Sequence, residues 1–428
     1  MNRQWVVEPR HGFFAKDGRG WYAGAGNLGN SLPWLLPTTL RGALCTAVGR
    51  ELERQRPNLL TPQEWLELKS ELRLRSVIAT RTPVGSNFTT ADRMWPAPAD
   101  AIHLAGQPAP VRLVARAAEA QWWDAADDPS LQCLDWLTID PAAGHSNAKP
   151  ERGPAWWTEA EFLGWLQDAV GAGPSAEVSP HRQTQSRTDI HVKMDAASGT
   201  AESGLLWAHQ FRETLTVAEA STAGRGMPET HFTGSICRWG FGVDVEVTEE
   251  RAAQVSPTTA TLAGDRHLAS LWEASDLTVF PQAYRQVLAG LHIGKRLRLY
   301  ATTPTVFDEG WCPVGFRLEN NRLVGKLPVI DVPVKLVAAA VGRPVPVSGW
   351  DLVADSDASS HSDGRQHQAG GAPRPTQLAC PPGSMWLVER LDGQSFSAAD
   401  VESFWLASWG RGTDDGLGGF VAGVDLDV

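Results

Sequence analysis

An α+β fold built on antiparallel sheets is what this 428-residue sequence predicts, on three observations. Its strand-like segments alternate apolar and polar residues, the pattern of sheets with one covered face and one solvated or ligand-facing side. Its helical segments carry clear start signals, yet they do not alternate regularly with the strands as a doubly wound sheet requires. Its length exceeds one ordinary core, so two domains are expected.

The elements follow in chain order. Strands are expected at Trp5–Val7, Val77–Ala79, Val111–Ala115, Ile190–Met194, Phe241–Val247, Arg296–Tyr300 and Met385–Leu391. In FGVDVEV, residues Phe241, Val243, Val245 and Val247 share one face and Asp244 and Glu246 the other. A first helix is expected in TTLRGALCTAVGREL, with a threonine cap and Leu40, Ala43, Leu44, Ala47, Val48 and Leu52 at helical spacing. TPQEWLELKSEL holds a capping box, Thr61 to Glu64, with Pro62 in the first turn and Trp65, Leu68 and Leu72 as its buried stripe. TEAEFLGWL repeats the box with Thr158 and Glu161, and a last helix is expected from Ser397 to a glycine stop at Gly410. Pro141–Pro154 and Ala354–Pro375 are polar and lack periodicity; residues 354–375 are expected to form a disordered loop.

Composition narrows the class of function. A chain that is 42% hydrophobic and 20% charged can build a core. A formal charge of −11 argues against a protein that binds nucleic acid through bulk electrostatics, though not against a local basic track. Of the 38 basic residues only seven are lysine; arginine suits bidentate phosphate contact and stacking, and a GC-rich genome produces the same bias. Five widely spaced cysteines without a CxxC pair exclude a zinc ribbon and fit a reducing compartment. MNRQWVVEPRHGFF lacks the pattern of a signal peptide, and no apolar run approaches the ~20 residues that span a bilayer. A cytoplasmic protein with no membrane contact is expected.

Hydrolase, Walker and metalloprotease motifs are missing, and neither a metal nor a cofactor is expected. GAGNLGN (Gly24–Asn30) is followed by Leu32, Pro33 and Pro37 rather than a helix, and is read as a loop. His361 and His367 lie in the polar 354–375 stretch without partners that would complete a metal site.

Three stretches suit a polyanion. In Pro180–Glu213 the cations Arg182, Arg187, His191 and Lys193 approach or occupy a strand, DAASGTAESG turns, and LLWAHQFR returns. Such a hairpin can lie across a phosphodiester backbone, or be an ordinary solvated hairpin. In GKRLRLYATT, Leu297 and Leu299 form a core face while Arg296, Arg298 and Tyr300 share the open one. The closing GRGTDDGLGGFVAGVDLDV sets Arg411 between glycines, where bare backbone permits close approach and successive N–H groups can nest an anion. A separate, enzymatic reading uses His11 with Lys16 or Tyr22 for metal-independent RNA cleavage.

WVVEPRHGFFAKDGR, LPWLLPTTLRGALCTAVG, SRTDIHVKMDAASGTAESGLLW, LAGDRHLASL, TPTVFDEGWCP, VSGWDLV with PRPTQLACPPGSMWLVE, and the closing glycine run together resemble the RAMP superfamily of CRISPR-associated proteins. Within it they are most similar to the third subunit of the Cmr (type III-B) effector complex. The resemblance implies two ferredoxin-like (RRM-like) domains with insertions, set here at 1–235 and 236–428. It implies a non-catalytic, RNA-binding assembly subunit that holds the 5′ handle of the CRISPR RNA. Its partners would be that RNA, the large polymerase-like subunit and the backbone RAMP subunit. The superfamily's glycine-rich loop falls on Gly416, Gly418 and Gly419, its thumb hairpin on Arg182–Arg212, and the start of its first helix on Thr38, Thr39 and Arg41. The alternative within the superfamily is an endoribonuclease that matures precursor CRISPR RNA. Asp414 and Asp415 depart from a simple basic site, leaving Arg411 as the only cation near in sequence to the glycine loop.

Overall fold

The alternating segments assemble into two large antiparallel sheets, each backed by its own apolar core, in a computed structural model that describes residues 2–16, 27–117, 133–140, 148–169, 171–217, 235–247, 255–263, 266–351 and 372–426. The first sheet runs Thr259–Leu262, His267–Glu273, Asn2–Pro9, Ile236–Glu246, Arg73–Pro83, Arg93–Pro96, Trp156–Thr158. The second runs Arg317–Glu319, Arg322–Lys326, Pro333–Ala340, Met385–Arg390, Arg296–Ala301, Gly419–Val424, Ala407–Ser408. The described residues are thus mixed α and β, strand-rich, with few helices. Every strand expected from alternation lies within one of the observed strands or overlaps it.

The first sheet runs past the expected boundary at residue 235. Ile236–Glu246 pairs with Asn2–Pro9 on one side and with Arg73–Pro83 on the other, so it is a central strand of the first sheet. That sheet continues to Glu273, well past residue 235. Burial of this strand also differs from expectation. Phe241, Val243 and Val245 pack on the first core as predicted, but the opposite face is covered too: a Cβ at Gly242 would stand 2.6 Å from Leu277. Asp244 is drawn into that cover, and burial pushes its carboxyl up to about 6 against the opposing pull of Arg75.

Helix α1 (Pro37–Arg54) lays Leu40, Ala43, Leu44, Ala47, Val48 and Leu52 on the first core, the stripe its spacing predicts. Its cap is not a threonine. Leu36 occupies that position without a side-chain bond and Pro37 opens the first turn, because proline's fixed φ suits a position whose N–H has no partner. The capping boxes of α2 (Pro62–Glu71), on Thr61 and Glu64, and of α3 (Glu159–Leu166), on Thr158 and Glu161, form as read. Trp65 is only half-buried. A further helix, α4 (Gln282–Gly290), packs Tyr284 and Leu288 on the second core. The last helix, α5 (Ala398–Ser403), starts at the predicted Ser397 cap but ends at Phe404, not at Gly410. Leu406 there turns to φ +56°, and Ala407–Ser408 leaves as a strand paired with Gly419 and Phe420. Of the two expected loops, residues 141–147 and 352–371, with His361 and His367, lie outside the described residues.

The strand GKRLRLY corrects a site expectation. Arg298 and Tyr300 are both 1% exposed, because Asp100, from the segment after Pro96, folds over that face. The Arg298 guanidinium donates to Asp100 Oδ2 at 2.9 Å, to Asp425 Oδ1 at 2.7 Å and to the Leu113 carbonyl at 3.0 Å, while the Tyr300 hydroxyl donates to Asp100 at 3.0 Å. Arg298 is therefore the buried counter-ion of two carboxylates rather than part of an open face.

Two stability measurements follow. Arg298→Ala strands two buried carboxylates and is expected to cost about 3–5 kcal/mol in denaturant unfolding; a loss below ~1 kcal/mol would refute the network. For Asp244 the folded-state carboxyl is raised, so its contribution to stability is greatest at low pH and lost as pH rises towards and through 6. Asp244→Asn is expected to stabilise the protein at pH 7 to 8, by no more than about 3 kcal/mol, and to lose that advantage near pH 4.

Candidate nucleic-acid interface

The closing glycine stretch is one of the places where the two sheets are joined. Gly410, Gly412, Gly416 and Gly418 all have positive φ, which their neighbours in a compact double turn require. A Cβ at Gly418 would collide with the Trp409 carbonyl, and one at Gly416 would stand 2.9 Å from Leu74 Cγ and 3.1 Å from Pro37 Cβ. The expectation of an open loop that nests an anion is corrected by its hydrogen bonds. Gly418 N–H donates to Pro304 O at 2.9 Å, Gly419 N–H to Thr303 Oγ1 at 2.8 Å, and Gly416 N–H to Thr413 O at 3.1 Å. These amides are spent on the chain itself, and Gly416, Gly418 and Gly419 are buried. The loop instead reaches across to the first sheet, where Leu74 N–H donates to Asp414 O at 2.9 Å.

Asp414 and Asp415, read as a blemish on a basic site, are neutralised from a distance in sequence. Asp415 is bound by Arg41 of α1 and by Arg374, whose Nη1 lies 3.3 Å from Oδ2. Asp414 meets Arg75 at 3.1 Å, with Arg73 at 4.0 Å. Arg41 is held further by the Leu72 carbonyl at 2.8 Å and by the Lys69 carbonyl at the end of α2. These contacts form one wall of a cavity of about 370 Å³. Thr38, Thr39 and Gly42 of α1, Trp65 and Lys69 of α2, and Arg374 face into it. Residues from 38–46, 65–69, 348–349, 374 and 415 are remote in the chain and converge here. Of these lining residues the sequence reading named Thr38, Thr39 and Arg41, while Lys69, Trp65 and Arg374 carried no local signal. On the far side of Leu36 and Pro37 a second, apolar cavity of about 240 Å³ is lined by Trp34, Trp156 and Thr302.

Other expected site residues lie elsewhere. Arg411 is 62% exposed beside the loop and pairs with Asp308. Arg296 pairs with Glu389 at 2.8 Å on the second sheet. The hairpin forms as Gln185–Met194 with Ala201–Glu213, and Asn27–Gly29, expected to be loop, adds a parallel third strand. Arg187 and Lys193 are exposed as expected, but each carries acids: Arg187 meets Asp189 at 2.7 Å and Glu213, and Lys193 meets Glu202 at 2.7 Å. His191 stacks on Trp207 with ring centroids 5.8 Å apart. Arg182 is buried on Glu161, ahead of the first hairpin strand rather than on it, and is no surface cation. Ile190, Val192 and Met194 are exposed, with no layer over that side of the three-stranded sheet among the described residues. His11 and Lys16 are exposed after the first strand, and Tyr22 lies outside the described residues. Among the described residues no helix is long and apolar enough to cross a membrane.

Gly418→Ala is expected to lower the melting temperature by several degrees, since it adds a clash with backbone to an unfavourable φ. An unchanged melt would show that the loop yields more easily than its packing implies.

The family model described as CRISPR-associated protein (Cas_Cmr3) matches residues 5–425. No curated protein matches the chain. Among solved structures, a chain of the type III-B Cmr-beta complex bound to cognate target RNA and AMPPnP is similar over 90% of this chain and 86% of its own, at 12% identity and TM-score 0.40. A chain of Cmr-beta bound to cognate target RNA covers the same shares at 10% identity and TM-score 0.39.

Proposed function

This chain belongs to the Cas_Cmr3 family of CRISPR-associated proteins, and we propose that it serves a type III-B (Cmr) effector complex as a non-catalytic subunit in the cytoplasm, holding the 5′ handle of the CRISPR RNA and joining the large polymerase-like subunit to the backbone. The observation that carries this reading is the convergence of Thr38, Thr39, Lys69, Arg374 and the Asp415 clasp on one cavity. Hydroxyls, cations and an indole in one concavity suit a single-stranded RNA: phosphate takes the cations and hydroxyls, and a base takes the ring. Arg411 offers a further exposed cation beside the glycine loop, shared with Asp308, and Arg187 and Lys193 offer a second contact on the hairpin, where phosphate would compete with Asp189, Glu213 and Glu202.

We read each sheet as the centre of a ferredoxin-like domain. His267–Glu273, Asn2–Pro9, Ile236–Glu246, Arg73–Pro83 and, in the second unit, Gly419–Val424, Arg296–Ala301, Met385–Arg390, Pro333–Ala340 run fourth, first, third, second in the chain order of their unit. That order supports the assignment, with the boundary moved to the segment between Glu273 and Arg296.

The test is reconstitution with a handle-bearing guide RNA. Arg374→Glu with Arg411→Glu is expected to weaken guide retention about tenfold, with a shallower salt dependence. Unchanged retention would remove the cavity from the RNA path. The isolated chain is expected to leave labelled repeat RNA intact; metal-independent cleavage that His11→Ala abolishes would establish the endoribonuclease instead.

A further inference from the structure

α1 contains two glycines within its buried and exposed faces, and the chain itself accounts for one of them. At Gly49 a Cβ would penetrate the Trp65 ring, so a bare backbone is what seats the indole. At Gly42 a Cβ would meet nothing within 4 Å, and the residue is exposed. A glycine in mid-helix weakens the helix relative to alanine, and here no packing among the described residues requires it. The residue does floor the cationic cavity, between Thr38, Thr46 and Arg41.

That cavity does not end at Thr46. A second one, of about 170 Å³, begins there and runs between α1 and the edge strand Thr259–Leu262. Thr46 lines both. The helix wall of the second carries Arg50 and Arg54, and its strand wall Thr259 and Thr261. Arg50 is exposed and has no carboxylate partner among the described residues; Arg54 pairs with Glu51 at 2.6 Å but keeps 66% of its side chain exposed. Laid end to end along α1, from Thr38 to Arg54, the two cavities span about 24 Å, at 1.5 Å per helical residue. Their cations are Arg41, Lys69, Arg374, Arg50 and Arg54, and their acids Asp415 and Glu51, a positive strip on a chain of formal charge −11.

We infer that this groove is a track for single-stranded RNA: the phosphodiester backbone crosses α1 at Gly42, between Lys69 and Arg374 at one end and Arg50 and Arg54 at the other, with an unstacked base on the half-buried Trp65 indole. It rests on the RNA-holding reading above and extends it to a defined path. Threonine hydroxyls along both walls are neutral donors to phosphate, and a cationic groove with an aromatic platform binds single strands with little dependence on sequence. An acidic peptide would satisfy the cations but leave the indole without a stacking partner.

The test uses the full chain, fluorescence anisotropy, and a labelled single-stranded RNA of about a dozen nucleotides, with polyglutamate as the competing polyanion. Gly42→Leu fills the floor of the groove in open space and favours the helix. It is expected to weaken RNA binding at least tenfold while the melting temperature stays equal or rises. Arg50→Glu with Arg54→Glu is expected to weaken binding and to flatten its salt dependence. Arg374→Glu separates the track from the reading beneath it. If Arg374→Glu weakens RNA binding but Gly42→Leu and the Arg50/Arg54 variant do not, the track is overturned and the RNA-holding cavity stands. If none of the three matters, or the parent chain binds no RNA, both are overturned. Tighter binding of polyglutamate than of RNA would replace RNA by an acidic protein segment as the occupant.

Discussion

The position of α1 against the second sheet depends on one carboxylate. Asp415 sits between Arg41 and Arg374, and the neighbouring Asp414 carbonyl accepts from Leu74 N–H at 2.9 Å in the first sheet. An ion pair of this kind, largely screened from water, gains little over well-packed apolar residues but costs a great deal when one partner is lost. Its use here is geometric. It orients α1 and α2, through the carbonyls of Leu72 and Lys69, relative to the glycine turns. Those turns in turn need left-handed backbone at Gly416 and Gly418 to bring Asp415 to α1 at all.

The same arrangement explains how an acidic protein presents a cationic groove. Arginines on both sheets are largely neutralised in place: Arg298 by Asp100 and Asp425, Arg93 by Glu159, Arg296 by Glu389. Buried charge survives only when paired, so these pairs serve the fold. What faces the groove along α1 is different in kind. Arg374 shares one carboxylate with Arg41, and Arg50 has no acid against it among the described residues, so positive charge is left over where the walls are concave. Net charge alone, which averages over the surface, reports none of this.

The strands were legible because alternation reflects a local constraint, the pleat, and the capping boxes at Thr61 and Thr158 were legible because both partners lie three residues apart. The family resemblance carried in the motifs agrees with the family match over residues 5–425. The misreadings share a cause. Arg298 and Tyr300 alternate as a solvated face should, yet Asp100 arrives from almost two hundred positions upstream to cover them. Helix α5 carries no breaker before Gly410, yet it stops at Phe404 because Ala407–Ser408 is needed as an edge strand by Gly419–Phe420.

By itself, then, the sequence determined the periodicity of each segment, the starts of three helices, the glycines that permit positive φ, and the family. Tertiary structure alone decided which arginines are structural and which line the groove. It also decided that the Asp414–Asp415 pair is a clasp rather than a repulsive flaw, and that Lys69, Trp65 and Arg374 line one cavity with Thr38 and Thr39. The division follows from range. Periodicity, caps and turns are set by bonds within a few residues, whereas whether a charge is buried, paired or exposed depends on which distant segment the fold lays against it.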